Sequence, residues 1–364
     1  MKTERVVVFD NSGTIDRKII LKRKKYIILV CLLLILQSGL RNVAVGADTY
    51  AYYDAFERVK LMSWTQIFDT FIQVYEFGVG KDPGYLFFQK IIQIVVNDYQ
   101  IYLIFIAVLF FSALGNFIYK NTYRIIDVMF AFILYSTLFY AFFSITGHRQ
   151  TIATAVALYG YELIKRKKLL PFIILILLAS TIHRSVLIFI PLYFIRSQKA
   201  IKYLLISFTV LLPLMFYYSD VISLFFQSMD YTYSAYEQME NLRPYNYVVL
   251  NLTIFLLGVF TYKDSFKQKS NDTQFWYAAL LLATLFTTQV FHIHGFMRVI
   301  YYFSIFNLLL IPHMFQIISK KTRIINSQLV ALGIVLMLLL YIGSSSESEY
   351  KFFWQVMELG INYR

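Results

Sequence analysis

The sequence predicts an all-α, polytopic integral membrane protein of about eleven transmembrane helices, some of them short or re-entrant. Three observations predict it. Charged residues make up 15% of the chain, against roughly 25% in soluble globular proteins. Hydrophobic residues reach 59%, with a mean hydropathy of +0.59, and they fall in repeated apolar runs close to the ~20 residues that carry a helix across a bilayer. The loops between those runs alternate between strongly basic and weakly charged, which is how membrane topology is written.

In chain order the runs are 26–40, 99–118, 127–146, 149–164, 169–182, 184–195, 202–218, 245–262, 275–291, 297–318 and 327–342. Residues 1–25 then form a cytoplasmic tail, 26–342 the multi-spanning membrane domain and 343–364 an extracytoplasmic tail. The first tail holds "VVVFDNSGTID", which resembles the start of haloacid-dehalogenase-type phosphatases. Ser12 stands where their second aspartate would be, and only about ten residues remain before the membrane, too few for a doubly wound domain.

One set of loops holds "KRKK" at 22–25, Lys120 with Arg124, "KRKK" at 165–168, "RSQKAIK", "KDSFKQK" and "KKTR". This side carries 23 of the 34 Lys and Arg and 7 of the 21 Asp and Glu, so it is net +16 while the other side is net −3. The basic side is cytoplasmic by the positive-inside rule. The overall +13 is thus a topology signal, and nucleic-acid binding is not expected. Cys31 is the single cysteine, which excludes an intrachain disulfide and thiolate metal sites. No cofactor is expected, and His292 with His294 lacks the third partner of a metal site.

The first external loop opens "RNVAVGADTYAYYDAF", with Asp48 and Asp54 among Tyr50, Tyr52 and Tyr53. An aromatic belt at the bilayer surface accounts for the tyrosines but not for the aspartates. "SWTQIFDTFIQVYEFG" then predicts an amphipathic surface helix, with a capping-box start at Ser63 and Gln66. In "KDPGYLFF" a turn at Pro83-Gly84 presents Asp82 and Tyr85. The next stretch, 86–96, is too short to cross, carries Lys90 and reads as re-entrant or interfacial.

"LLASTIHRSVLIFIPLYFI" lies between two basic, cytoplasmic flanks, so the chain must enter the membrane and return. The turn falls at Thr181–Ser185, with arms of about 12–14 residues, or ~20 Å of helix each. His183 and Arg184 are therefore expected in a recess at or below the external surface. Arg41, Arg149, Arg184 and Arg298 all fall at predicted external helix ends, and His148, His183, His292 and His294 share that side. Snorkelling explains any one arginine; four beside histidines and carboxylates point to anion binding, because the guanidinium fork matches phosphate oxygens. The tyrosine-rich loop 230–247 fits sugar stacking or an aromatic belt equally.

Five stretches in order, "RNVAVGADTYAYYDAF", "DPGYLFFQKI", "GHRQTIATAVALYGYELIKRKK", "LLASTIHRSVLIFIPLYFI" and "MRVIYYFSIFNLLLIP", resemble the EpsG family of Wzy-like bacterial membrane proteins of exopolysaccharide, capsule and O-antigen loci. The resemblance covers about residues 26 to 318. Asp82 stands where the family often has Glu, and the family pattern requires no histidine at the position of His148. The resemblance implies a polysaccharide polymerase in the bacterial cell (inner) membrane, joining undecaprenyl-pyrophosphate-linked oligosaccharide repeat units, as donor and acceptor, on the extracytoplasmic face. It implies contact with membrane lipid, and a chain-length regulator and a flippase as partners. Matching motif residues are Arg41, Gly46, Asp48, Asp82, Tyr85, Arg149, Gln150, His183 and Arg298.

The chemistry expected of them follows from the reaction. Arg149 and Arg298, with Arg41 secondary, would stabilise the leaving pyrophosphate. His183 or Asp48 would serve as general base for the acceptor hydroxyl. Asp82, Tyr85, Gln150 and Arg184 would line the substrate site. Two rivals stand beside this reading. A polyprenyl-dependent glycosyltransferase or O-antigen ligase would make one discrete addition where a polymerase makes a ladder. A transporter or flippase would use intramembrane ionisable residues as a pathway, but no repeat relates the two halves and the ionisable residues gather at one face.

Overall fold

The computed structural model describes residues 17–46, 48–195, 198–222, 224, 245–267, 271–291, 296–322, 331, 335 and 350–355. His292, His294, residues 1–16, loop residues 230–244 and almost all of the 327–342 run lie outside the described residues. Among the described residues the architecture is all-α, and the only β pairing is an isolated antiparallel bridge between Arg41 and Phe352. The chain forms two compact units, Met1–Val186 with Leu339–Arg364, and Leu187–Leu338.

In the first unit α1 (Arg17–Gly39) buries Ile27, Cys31 and Leu34, one face at helical spacing, and exposes Leu29, Leu32, Leu33 and Leu36. Its buried face meets α5 (Tyr99–Asn121) at Gly115, where a Cβ would lie 2.9 Å from Cys31 Sγ. The segment between α1 and α5 is itself helical. α2 (Thr49–Leu61) buries Thr49, Tyr52, Phe56 and Val59. α3 (Trp64–Tyr75) starts with the expected capping box at Ser63 and Gln66, and Trp64, Phe68 and Phe71 surround Phe87 at 5.9–6.1 Å. Ile67 and Val74 of α3 are buried while Phe68, Ile72 and Tyr75 remain exposed.

α4 (Pro83–Gln93) corrects the expected turn at Pro83-Gly84. The turn residue is Asp82, in left-handed geometry at φ 52°, ψ 50°, and Pro83 opens the helix. Lys90 donates from Nζ to Val59 O and Lys60 O at 3.1 and 3.3 Å, which caps α2 and accounts for a cation in an apolar stretch. Gly84 lets α4 approach the end of α8 (Leu169–Ile182): a Cβ there would lie 2.0 Å from Thr181 Oγ1 and 2.8 Å from its backbone carbon. Because backbone cannot yield, Gly84→Ala should cost about 1–3 kcal/mol. Purified G84A protein is expected to melt several degrees below wild type in the same detergent, and an unchanged melting temperature would rule out this close approach.

The 127–146 run is not one helix. α6 (Ile125–Leu138) ends at Phe139, and a π-helical turn (Ala141–Thr146) leads through Gly147 to α7 (His148–Lys165). α8 ends at His183, which is extended, and a 3₁₀ helix (Arg184–Tyr193) follows. The break between the two apolar helices falls within Thr181–Ser185. Ten 3₁₀ residues reach ~20 Å at ~2.0 Å each, about as far as the fourteen of α8. At one end of this unit Arg23 donates to Thr122 O, Lys165 Nζ to Asn121 Oδ1 at 2.8 Å, and Lys120 pairs with Glu162 at 3.4 Å.

The second unit contains α9 (Gln198–Tyr217), α10 (Tyr245–Lys267), α11 (Asn271–Thr287), α12 (Phe296–Ser304) and α13 (Asn307–Thr322). Phe208 stacks on Phe255 at 5.3 Å beside Leu281 and Leu285. The Tyr277 hydroxyl bonds Thr261 and Ser265 at 2.7 and 2.8 Å, which satisfies a buried polar patch.

By length and composition, α5 and the Tyr247–Ser265 part of α10 can each cross a membrane; α12 with α13, bent by 51°, would make a third. The remaining apolar helices are shorter, including Ile125–Leu138, Leu169–Ile182, Arg184–Tyr193 and Lys202–Tyr217. Among the described residues, two helices, or three counting the bent pair, have the length and composition of a full span, against the eleven runs read from the sequence. Apolar runs are continuous in sequence, whereas the backbone breaks two of them, at Phe139 and after Ser304.

Candidate functional site

The site is built around Asp82. Its left-handed backbone turns the carboxylate away from capping its own helix, with which it makes no side-chain bond. Asp82 Oδ2 lies 2.7 Å from Arg149 Nη1 and 3.8 Å from His183 Nδ1, and Oδ1 accepts from the Arg184 backbone N–H at 3.4 Å. Burial disfavours charge on this carboxyl, but His183, Arg149 and Lys81 outweigh it and hold Asp82 below the usual carboxylate range. It is a carboxylate at neutral pH.

Each partner is delivered by a different element. Arg149 is in the first turn of α7, where the helix N-terminus favours a nearby anion. His183 and Arg184 form the turn between α8 and the 3₁₀ helix, which Thr181 packs against Gly84 and hence beside Asp82. The Arg149 guanidinium also lies over the Tyr52 ring, 5.7 Å from its centroid. Tyr52 stacks on His148 at 4.4 Å and 15°, and meets the buried Tyr85 edge-on at 5.8 Å.

His148 Nε2 in turn contacts Arg41 Nη2. A guanidinium can only donate, so His148 accepts at Nε2 and carries its proton on Nδ1. Arg41 is buried, and it also donates to Ser38 O and to Ile145 O, the latter at 3.0 Å. The π-helical segment makes this grip possible because the Ile145 carbonyl lies in its last turn, where helix carbonyls lack partners of their own. Ser144 O accepts from Ser38 Oγ at 2.7 Å and Phe143 O from Thr151 Oγ1 at 2.8 Å in the same way.

The structure thus brings Arg41, Asp82, Tyr85, His148, Arg149, His183 and Arg184 into one connected set. Arg184 keeps its side chain exposed, and Gln150 is buried in the first turn of α7. Asp48 is half-buried at the start of α2. Arg298 is in the first turn of α12, within the second unit. Among the described residues, no three His, Cys, Asp or Glu side chains gather as metal ligands.

Sequence reasoning gave no role to three members. Tyr52 reads as one belt tyrosine among several, His148 has no counterpart required by the family pattern, and nothing singles out Lys81. The spacing of Tyr52, Phe56 and Val59, four then three, marks one buried face of a helix and was the available signal. In the arrangement observed, Asp82 can orient both a guanidinium and an imidazole. A guanidinium has five N–H donors, so Arg149, held by Asp82 and Tyr52 and still one-fifth exposed, can present others to an anion.

The EpsG family model matches residues 24–355, nearly the whole chain. No curated protein and no solved structure matches the sequence.

Proposed function

The chain belongs to the EpsG family, and on that premise we propose that this membrane protein polymerises a polysaccharide by joining undecaprenyl-pyrophosphate-linked oligosaccharide repeat units. The observation that carries the proposal is the Asp82–Arg149–His183 cluster, a fixed cation and an imidazole facing one carboxylate. A hydroxyl of the acceptor unit attacks the anomeric carbon of the donor sugar, forming the new glycosidic bond as the bond to pyrophosphate oxygen breaks. Arg149, with Arg184 beside it, stabilises the charge that develops on the leaving pyrophosphate. His183 takes the hydroxyl proton, and Asp82 stabilises the imidazolium formed, as buried carboxylates do behind catalytic histidines. Asp48 is the second choice of base.

Tyr85 and Gln150 shape the wall beneath the site, and Arg41 positions His148 rather than substrate. The reaction faces the extracytoplasmic side of the bacterial cell membrane, with about eleven apolar segments embedded and the N-terminus cytoplasmic. The segregation of the first unit supports this: Arg23, Lys120 and Lys165 meet at one end of α1, α5 and α7, and the Arg41 and Arg149 site lies at their opposite ends. A flippase supplying lipid-linked units and a chain-length regulator are the partners this reaction calls for.

The test is the glycan profile of a deletion strain complemented with wild type or His183→Ala. Deletion should abolish the polymer ladder and leave single lipid-linked units; wild type should restore the ladder and His183→Ala should not. A normal ladder from the deletion strain would favour a transporter. A single discrete addition restored by wild type would make this a one-step glycosyltransferase.

A further inference from the structure

Residues 350–355 pair with the segment that follows α1. Asn42 N–H donates to Lys351 O at 2.8 Å and Phe353 N–H to Leu40 O at 2.9 Å, on either side of the Arg41–Phe352 bridge. Asn42 Nδ2 donates to Gln355 O at 2.7 Å, and the Tyr350 hydroxyl to Gln37 O near the end of α1. The short segment is braced internally as well. Gln355 Oε1 accepts from Phe352 N–H at 2.8 Å, and the Phe352 and Trp354 rings stack at 4.6 Å.

The residue at the centre of this pairing is Arg41. Gln100 Nε2 binds Arg41 O at 3.3 Å, so backbone on both sides of Arg41 is fixed while its guanidinium reaches Ile145 O and His148. His148 carries Tyr52 on its face, and Arg149 lies over Tyr52. Segments near a chain end ordinarily fray unless tied down. This one is tied to a single loop by backbone and side-chain bonds spanning 313 residues of sequence, and the family match extends through it.

We infer that residues 350–355 are a clasp that positions the reaction site: by fixing Arg41 they hold His148 and, through Tyr52, align the Arg149 fork. The rate consequence rests on the polymerase reading. Its size follows from geometry, since a displacement of about 1 Å at a catalytic group costs up to ~10²-fold in rate.

The experiment compares full-length protein, a truncation after Gln355, a truncation after Glu349, and Phe353→Pro, which removes the N–H given to Leu40 O. Each is purified and reconstituted with lipid-linked repeat units, and kcat and KM are measured. Carbethoxylation of His148 is followed in parallel by mass spectrometry, with His313 of the second unit as internal reference. Truncation after Gln355 should leave both readouts within about twofold of wild type. Truncation after Glu349 and Phe353→Pro should lower kcat at least tenfold with KM within twofold, and raise His148 modification at least fivefold with His313 unchanged.

Wild-type kcat in the Glu349 truncation, a change confined to KM, or unchanged His148 protection would overturn the clasp. Equal gains at His148 and His313 would also overturn it, as general unfolding. If full-length protein makes no polymer yet His148 loses protection selectively on truncation, the clasp stands and the polymerase reading falls.

Discussion

Arg149→Ala should abolish polymer formation, with a rate loss of about 10²–10³-fold, the usual cost of removing one group aimed at developing negative charge. The loss should appear in kcat more than in KM, because the leaving pyrophosphate gains its extra charge only as the bond breaks. Arg149→Lys keeps the cation but not the fork that Asp82 and Tyr52 orient, so it should recover part of the rate and stay about tenfold below wild type. The two variants together separate charge from geometry. If lysine restores full activity, alignment by Asp82 has no catalytic weight.

Asp82→Asn should be nearly as damaging, for a different reason. It removes the carboxylate that pairs with Arg149 and faces His183, and leaves a largely buried guanidinium without its counter-charge. A fully buried pair broken this way costs ~3–5 kcal/mol, and the one-fifth exposure of Arg149 lowers that to about 2–3 kcal/mol. Asp82→Glu keeps the charge at longer reach and should retain measurable activity, whereas the amide should not.

The pH dependence has a defined sign. The folded-state value of Asp82 is depressed below its ordinary 3.8, so its stabilisation is complete above that value. It disappears only as pH falls through the still lower folded-state value. Asp82 therefore contributes no activity transition between about pH 5 and 8. An Asp82 carboxyl whose carbon-13 resonance titrates between about pH 5 and 8 would contradict this.

Much of the helical layout was legible because burial in a membrane forces long apolar runs, and these survive without any knowledge of contacts. The helix break at His183 was legible because a polar His-Arg pair interrupts two apolar runs there. The capping box at Ser63 and Gln66 is a local signal and reads locally. What stayed hidden is non-local or backbone-specific. Nothing near residue 350 announces that it pairs with Arg41, and the π-helical turn after Phe139 lies inside a run that hydropathy treats as uniform. The site residues were visible as motifs, but their order was not. Asp82 read as a substrate contact because its partner Arg149 is 67 residues away. Tyr52 was lost among neighbouring tyrosines, although its helical spacing was there to be seen.

The most direct measurement is polymerisation by the purified protein in proteoliposomes, supplied with one lipid-linked repeat unit and nothing else able to form glycosidic bonds. Wild type should convert single units into a ladder, releasing one undecaprenyl pyrophosphate per new linkage, and Arg149→Ala should leave the units unconverted while remaining folded. A ladder from Arg149→Ala at the wild-type rate, or units consumed by wild type without any growth in chain length, would contradict the account.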